Sequence, residues 1–253
     1  ALLRAVNIDG AKVINEACKQ AGVERLVLTS SCSVLWSGDN LLNADETFPY
    51  AHSPFDPYTA TKIEQERITL AANDPAGKFR TAAIRPHTIY GPRDKIFSSM
   101  AQRAHDNNLK FAIGNGKNLV DFTFVSNVVY GHFLATEHLE RGGIACGKAF
   151  NVTDDEHMPF WEFSNRILRK MNKPEIAYYM NFHLILFVAT VVNFFVQLLK
   201  PVVKLNVTFS PHVVRLVGTD HTYNITRAKK ELGYRPLVST QEGIEICLNA
   251  MKF

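Results

Sequence analysis

Apolar and polar positions follow two rhythms over the first ninety residues. In "VNIDGAKVINEACKQAG", Val6, Val13, Ile14 and Ala17 recur near helical spacing, and Gly22 stands where a helix would end, so the chain opens inside a helix. "RLVLTSS", residues 25–31, is a short apolar run closing on hydroxyls, as a buried parallel strand does. A connection rich in Asn, Asp and Pro leads to a helix that carries Tyr58 and Lys62 and runs to about Ala72, where "NDPAGK" interrupts it. "FRTAAIRP" is the next buried strand, ended by Pro86. This order is that of right-handed crossovers, and it predicts an α/β fold with a doubly wound parallel sheet. Ligands of such sheets bind beyond the carboxyl ends of the strands, where Thr29–Ser30–Ser31 and Arg85–Pro86–His87 fall.

From residue 91 the pattern loosens. It predicts a helix over 96–107, a glycine-bearing segment "FAIGNGKNLVDFTFV", a helix starting near Ser126 with that serine as N-cap, a strand "KAFNVT", and a helix around 160–170. The last thirty residues read as two short helices separated by "GYRP". Upstream of these, "FHLILFVATVVNFFVQLLK", residues 182–200, would extend about 28 Å as a helix, close to the apolar thickness of a bilayer. Its polar residues His183, Thr190, Asn193, Gln197 and Lys200 fall within an arc of about 100°. That suits a helix lying at a membrane surface, or one packed on protein along a thin polar seam; a buried core helix is the plainer alternative. Pro201 ends it.

Composition narrows the partners. The chain has 253 residues, 46% of them hydrophobic, enough for a substantial core. Its net charge of +4 is spread along the chain without a basic block, so nucleic acid is not an expected partner. Four cysteines, Cys18, Cys32, Cys146 and Cys247, lie far apart, and the histidines show no ligand spacing; neither a metal site nor a disulfide framework is expected, and a reducing compartment is. Three N-x-T tripeptides, at Asn151, Asn206 and Asn224, are short enough to arise by chance. No signal peptide is visible in the opening residues.

Tyr58 and Lys62 carry the chemistry. Four positions apart on a helix, they share a face and can aim their polar tips at one point. An ammonium near a phenol favours the phenolate and is expected to lower the Tyr58 pKa toward the working range. Such a tyrosine takes the proton of a substrate alcohol while hydride leaves its carbon, and a serine at the adjacent strand end, Ser31 by register or else Ser30, holds the same oxygen. A Y-x-x-x-K match alone is weak; the upstream T-S-S and the downstream R-P in this order give it weight.

Those segments, with "PYTATK", "AIRPHTIYGPRD" and "NLVDFTFVSNVVYGHFLA", resemble the extended short-chain dehydrogenases, and within them the 3β-hydroxysteroid dehydrogenase branch, over nearly the whole chain. The resemblance implies a Rossmann-like fold in two parts. Residues 1–90 would be the C-terminal half of an NAD-binding domain, and residues 91–253 a substrate-binding part interleaved with the last sheet strands. It implies Ser31, Tyr58 and Lys62 as catalytic residues, with Asn7 supporting the lysine through water. Tyr58 and Lys62 would also contact the cofactor, Lys62 at the nicotinamide ribose, and the Pro86/His87 backbone would face the nicotinamide. The glycine loop G-x-x-G-x-x-G of this family is not in the sequence, which reads as a partial one whose isolated form is expected to be insoluble or inactive. The residue that separates NAD from NADP is missing with it, so NAD is the expected cofactor and NADP stays open.

Nucleotide-sugar enzymes share this triad, but many place an arginine before the Asp of D-[FY]-x-x-V to meet a diphosphate; here that position is Val120, with Arg93 or Lys117 as the cations that could stand in. The resemblance points instead to a sterol, oxidised at its 3β-hydroxyl with loss of a 4α-carboxylate. Oxidation without decarboxylation, and a membrane-associated scaffold without chemistry, are the alternatives. It also implies a membrane surface as partner, at the cytosolic face of the endoplasmic reticulum and lipid droplets, and a homodimer through the helices flanking Tyr58 as an option.

Overall fold

A computed structural model describes residues 2–74, 76–199 and 209–251. Lys200, Pro201 and Asn206, and the Pro75 of the helix-breaking segment, lie outside the described residues. The opening helix is continuous: α1 (Leu2–Arg4) and α2 (Gly10–Gln20) are joined by a π-helical turn, Ala5–Asp9, that contains Asn7. Gly22, at φ +70°, follows the end of α2 in the left-handed conformation that favours glycine. Then come β1 (Arg25–Thr29), a 3-10 turn Cys32–Leu35, β2 (Leu41–Ala44), α3 (Pro57–Ala71), β3 (Arg80–Pro86) and β4 (Ile89–Tyr90). They lead into α4 (Lys95–His105), β5 (Phe111–Ile113), β6 (Leu119–Val120), β7 (Thr123–Phe124), α5 (Val125–Glu137), β8 (Ala149–Val152), β9 (Met158–Pro159) and α6 (Phe160–Lys170). The chain closes with β10 (Tyr178–Met180), α7 (Phe182–Leu199), α8 (Pro211–Gly218), β11 (His221–Tyr223), α9 (Thr226–Glu231) and α10 (Thr240–Asn249).

The central sheet runs β1–β3–β8, all parallel, with Arg25 opposite Arg80 and Ala83 opposite Ala149. All seven residues of β3 are buried, because α3 and α5 both pack on it. That is why "RTAAIRP" reads as an apolar run rather than an alternation. The core here is Ile84, Phe150, Val152, Leu134 and Ala135. A second sheet, β2–β11–β6–β9, stands beside the carboxyl ends of the first, with Trp36, Leu41, Ala44 and Tyr223 packed in its cluster. The third cluster gathers Phe97, Phe122 and Phe163 with Tyr90 and Phe124 of β4 and β7.

Three expectations need correction. β1 is parallel as expected but not buried: Arg25 and Thr29 are exposed and Leu26, Val27 and Leu28 half-covered, because among the described residues it pairs with β3 on one side only. The helix expected at Ser126 begins one residue earlier, with Phe124 at the N-cap and no side-chain cap; the Phe124 N–H is taken instead by Asp154 Oδ1 at 2.7 Å. The long apolar helix is neither buried nor seated on a polar seam. In α7 only Ala189 is buried, and the half-covered positions Phe182, Ile185, Leu186, Val192 and Val196 make an apolar stripe toward the protein in which Asn193 is the one polar residue. His183, Thr190 and Gln197 are exposed, together with Leu184, Phe187, Phe194, Phe195 and Leu198. The stripe meets α8, where Phe182 lies so close to Gly218 that a Cβ there would come within 2.5 Å of its ring.

Candidate active site

Local signals set the start of the Tyr58 helix. Asp56 is its N-cap, accepting from the Thr59 N–H at 3.0 Å and the Thr59 hydroxyl at 2.8 Å, and Pro57 fills the first helical position. This places Tyr58 in the first turn, partly exposed, and Lys62 in the second, buried against β1. Across from them, β1 ends at Thr29 and the chain turns through Ser30 and Ser31 into the Cys32–Leu35 turn, which Ser31 Oγ caps by accepting from the Ser33 N–H at 3.2 Å.

The two sides meet where the Ser31 hydroxyl faces the Tyr58 phenol, near enough to favour its ionised form. Ser30 points elsewhere: its hydroxyl is buried and has no partner among the described residues. Lys62 Nζ donates to the Thr29 carbonyl at 2.7 Å and to Gln65 Oε1 at 2.6 Å. Asn7 does not contact Lys62; its Nδ2 donates to Thr61 Oγ1 at 2.9 Å, and that hydroxyl donates to the Tyr58 carbonyl, so the π-helical turn is tied to the first turn of α3.

The expected lowering of the Tyr58 pKa is not found. Burial pushes the phenol up, the Ser31 hydroxyl pulls it down, and Asp56 adds a further upward push. Lys62 does not offset that rise, since an amine of lowered pKa is already neutral where so weak a phenol ionises. Burial in turn lowers Lys62 to about 8, against an upward pull from Glu66.

His87 is drawn into the protein. Its backbone N–H donates to Thr123 Oγ1 at 3.2 Å and its carbonyl accepts from the same hydroxyl at 2.6 Å. Its Nε2 lies 2.7 Å from Nδ1 of His221, whose Nε2 donates to the Leu216 carbonyl, so His221 accepts and His87 donates. Burial holds both imidazoles below their ordinary pKa, and they are neutral. The structure thus gathers Ser31, Tyr58 and Lys62 at one strand end, brings Asn7 to them through Thr61, and leaves Pro86 and His87 at the neighbouring strand end. Thr61, Gln65 and Glu66 were not singled out from the sequence, although all three lie on the Tyr58 helix and Glu66 follows Lys62 by one turn. Of the N-x-T tripeptides, Asn151 is fully buried and donates to the carbonyls of Ala44 and Asn224, which fits the chance reading.

Residues 2–180 match the model of the 3-beta hydroxysteroid dehydrogenase/isomerase family. The chain belongs to that family. Within it, the chain is similar to the sterol-4-alpha-carboxylate 3-dehydrogenase, decarboxylating, of Mus musculus, at 47% identity over 96% of this chain and 68% of that protein. The protein of the same name from Homo sapiens is 48% identical over 96% of this chain and 66% of its own length. The chain therefore spans about two thirds of these relatives. Among solved structures, UDP-glucose 4-epimerase from Thermotoga maritima superposes with a TM-score of 0.71 at 18% identity, covering 97% of this chain and 69% of the epimerase. At that identity the likeness shows the shared α/β fold. The family assignment places the Ser31–Tyr58 contact in a group of proteins named for oxidising a steroid hydroxyl.

Proposed function

We propose that the protein oxidises the 3β-hydroxyl of a 4α-carboxysterol to the 3-ketone, with decarboxylation at C4, using NAD. The juxtaposition of Tyr58 and Ser31 carries this reading, because it brings a base and an oxygen-binding hydroxyl together at the mouth of a parallel sheet in a family of hydroxysteroid dehydrogenases. The two mammalian relatives named above supply the substrate class.

The residues present fit the nicotinamide end of the cofactor. An ammonium has three donors, and Lys62 uses two, on Thr29 and Gln65, leaving one for ribose hydroxyls. Those two partners also line a cavity of about 370 Å³ between α2 and β1. Pro86 and His87 are assigned to the cofactor by their place at the end of β3, since the His87 backbone groups are occupied by Thr123. When bound, NAD supplies the acceptor for the hydride that leaves C3.

In this mechanism Tyr58 as phenolate takes the proton of the 3β-hydroxyl while Ser31 holds that oxygen. For the phenol to ionise near neutral pH, Lys62 has to turn from the Thr29 carbonyl toward it. The product is a ketone beta to the C4 carboxylate. The bond from C4 to the carboxyl carbon then breaks, its electrons form the enolate, and carbon dioxide departs. Ser31 and protonated Tyr58 donate to the enolate oxygen until C4 is protonated. Asn7 supports this arrangement through Thr61.

Residues 1–90 are assigned to the cofactor-binding half and 91–253 to the substrate side; β8 supports the interleaving, since it belongs to the same sheet as β1 and β3. The exposed apolar surface of α7, with a mean hydropathy of 2.1, supports association with a membrane. A sterol could enter from the lipid there, at the cytosolic face of the endoplasmic reticulum or a lipid droplet. Exposed Val13 and Ile14 on α2 support a homodimer through the α2–α3 side. The decisive assay is NAD reduction by the intact protein with paired sterols that differ only in the 4α-carboxylate. Reduction and carbon dioxide release with the carboxysterol alone are expected; turnover of the sterol lacking the carboxylate alone sinks the proposal.

A further inference from the structure

One turn beyond Lys62, Glu66 is completely enclosed. Its carboxylate accepts from Arg85 Nε at 3.0 and 3.1 Å, from Arg85 Nη2 at 2.5 Å, and from the Tyr50 hydroxyl at 2.8 Å. The Arg85 side chain is 5% exposed and that of Glu66 0%, so the pair is withdrawn from water. A buried ion pair of this kind contributes little net stability, because taking two charges out of water offsets most of their attraction, and apolar residues of similar shape would hold the fold as well. Its location says more. Arg85 directly precedes Pro86 and His87, and its carbonyl accepts the thiol hydrogen of Cys32 at 2.9 Å, the residue next to Ser31. A single residue therefore connects the Ser31 turn, the Lys62 helix and the end of β3.

We propose that Glu66 is a positioning residue for the dehydrogenase site: gripped by Arg85 and Tyr50, it fixes the rotation of α3 against β3 and keeps a negative charge one turn from the Lys62 ammonium. This rests on the reading of Tyr58 and Lys62 as the reacting pair. It assigns Glu66 no contact with substrate. A rotation of α3 about its axis would carry Tyr58 away from Ser31, and the two-pronged hold of a guanidinium on a carboxylate resists rotation better than a single hydrogen bond. The charge matters because Lys62 is already lowered to about 8 by burial, with Glu66 opposing that fall.

The test reads Lys62 directly and needs no turnover. Competitive acetylation of the intact protein with acetic anhydride over a neutral-to-alkaline pH series, quantified at Lys62 by mass spectrometry, gives its titration midpoint. In Glu66→Gln the midpoint is expected to fall by about one unit, as for loss of a neighbouring opposite charge. The double variant Glu66→Gln, Arg85→Gln leaves no unpaired buried charge and is expected to show the same direction of shift in a folded protein. Glu66→Asp keeps the charge, so it is expected to hold the midpoint near that of the parent while lowering kcat. An unmoved midpoint in the double variant overturns the proposal, and so does loss of its fold, which would make the pair a structural prop. Absence of NAD reduction by the parent protein bears on the proposed reaction instead, and leaves the Lys62 titration readable.

Discussion

Lys62 Nζ lies 2.7 Å from the carbonyl oxygen of Thr29, the last residue of β1, and so is spent on the strand rather than on the phenol one turn away. The Tyr58 helix is thereby anchored at the sheet end while its phenol faces the Ser31 hydroxyl. Burial of the ammonium is costly, and its consequences can be measured.

Replacing Lys62 by Met should stabilise the fold at neutral pH while abolishing oxidation. The folded pKa of about 8 lies below the ordinary lysine value of 10.5, so the unfolded chain binds more protons between those values and the parent protein gains stability as pH rises through that window. The penalty below it is about 3 kcal/mol at roughly 1.36 kcal/mol per unit, less the two hydrogen bonds lost. Urea unfolding should show Lys62→Met ahead at neutral pH, with the gap closing as pH rises from 8 to 10.5.

Tyr58→Phe should remove oxidation and carbon dioxide release together, each by roughly a hundred- to ten-thousand-fold, because decarboxylation depends on the ketone. Tyr58 is 43% exposed, so the variant is expected to melt close to the parent. The check is parallel measurement of NADH formation and of labelled carbon dioxide from the 3-hydroxy acid.

Asp154→Ala should destabilise the substrate side by about 3 kcal/mol or more. Its carboxylate accepts from the Phe124 N–H, Asn127 Nδ2, and the Tyr90 and Thr240 hydroxyls, all buried. Burial raises its pKa to about 6, outweighing those donors. The folded state then binds the extra proton between 3.8 and about 6, so stability from this residue falls as pH rises through that range. Chemical denaturation across the window should show that slope in the parent and its absence in the variant.

Phe187→Asp and Phe194→Asp should weaken association with phospholipid vesicles by at least about ten-fold each, since each phenyl ring is more than 60% exposed on α7. Co-sedimentation with vesicles checks this; unchanged binding in the double variant would remove α7 as the contact.

The α/β layout was legible because β3, covered by α3 and α5, leaves a continuous apolar run, because β1 keeps its apolar Leu26–Val27–Leu28 run though only half-covered, and because Gly22 marks a helix end locally. What escaped the sequence depended on distant partners. The helix start at Val125 is fixed by Asp154, thirty residues away, so Ser126 looked like the cap and was not. The side of α7 that meets the protein is chosen by α8, which no helical wheel of residues 182–200 contains. The Tyr58–Lys62 spacing correctly suggested a shared face, but spacing cannot say that the Thr29 carbonyl and Gln65 would claim the ammonium. Glu66 stood in plain view one turn after Lys62, and only its burial beside Arg85 gave it meaning.

β2 finds its neighbour in β11, with the Asn43 N–H donating to Thr222 Oγ1 across 179 positions of chain. On a ribosome adding about five to twenty residues per second, that partner emerges roughly ten to forty seconds later. Until then the floor beneath Trp36 has no counterpart. The nascent chain must be shielded during that interval, and a nonsense codon anywhere before residue 221 yields a product that waits for a strand that never arrives.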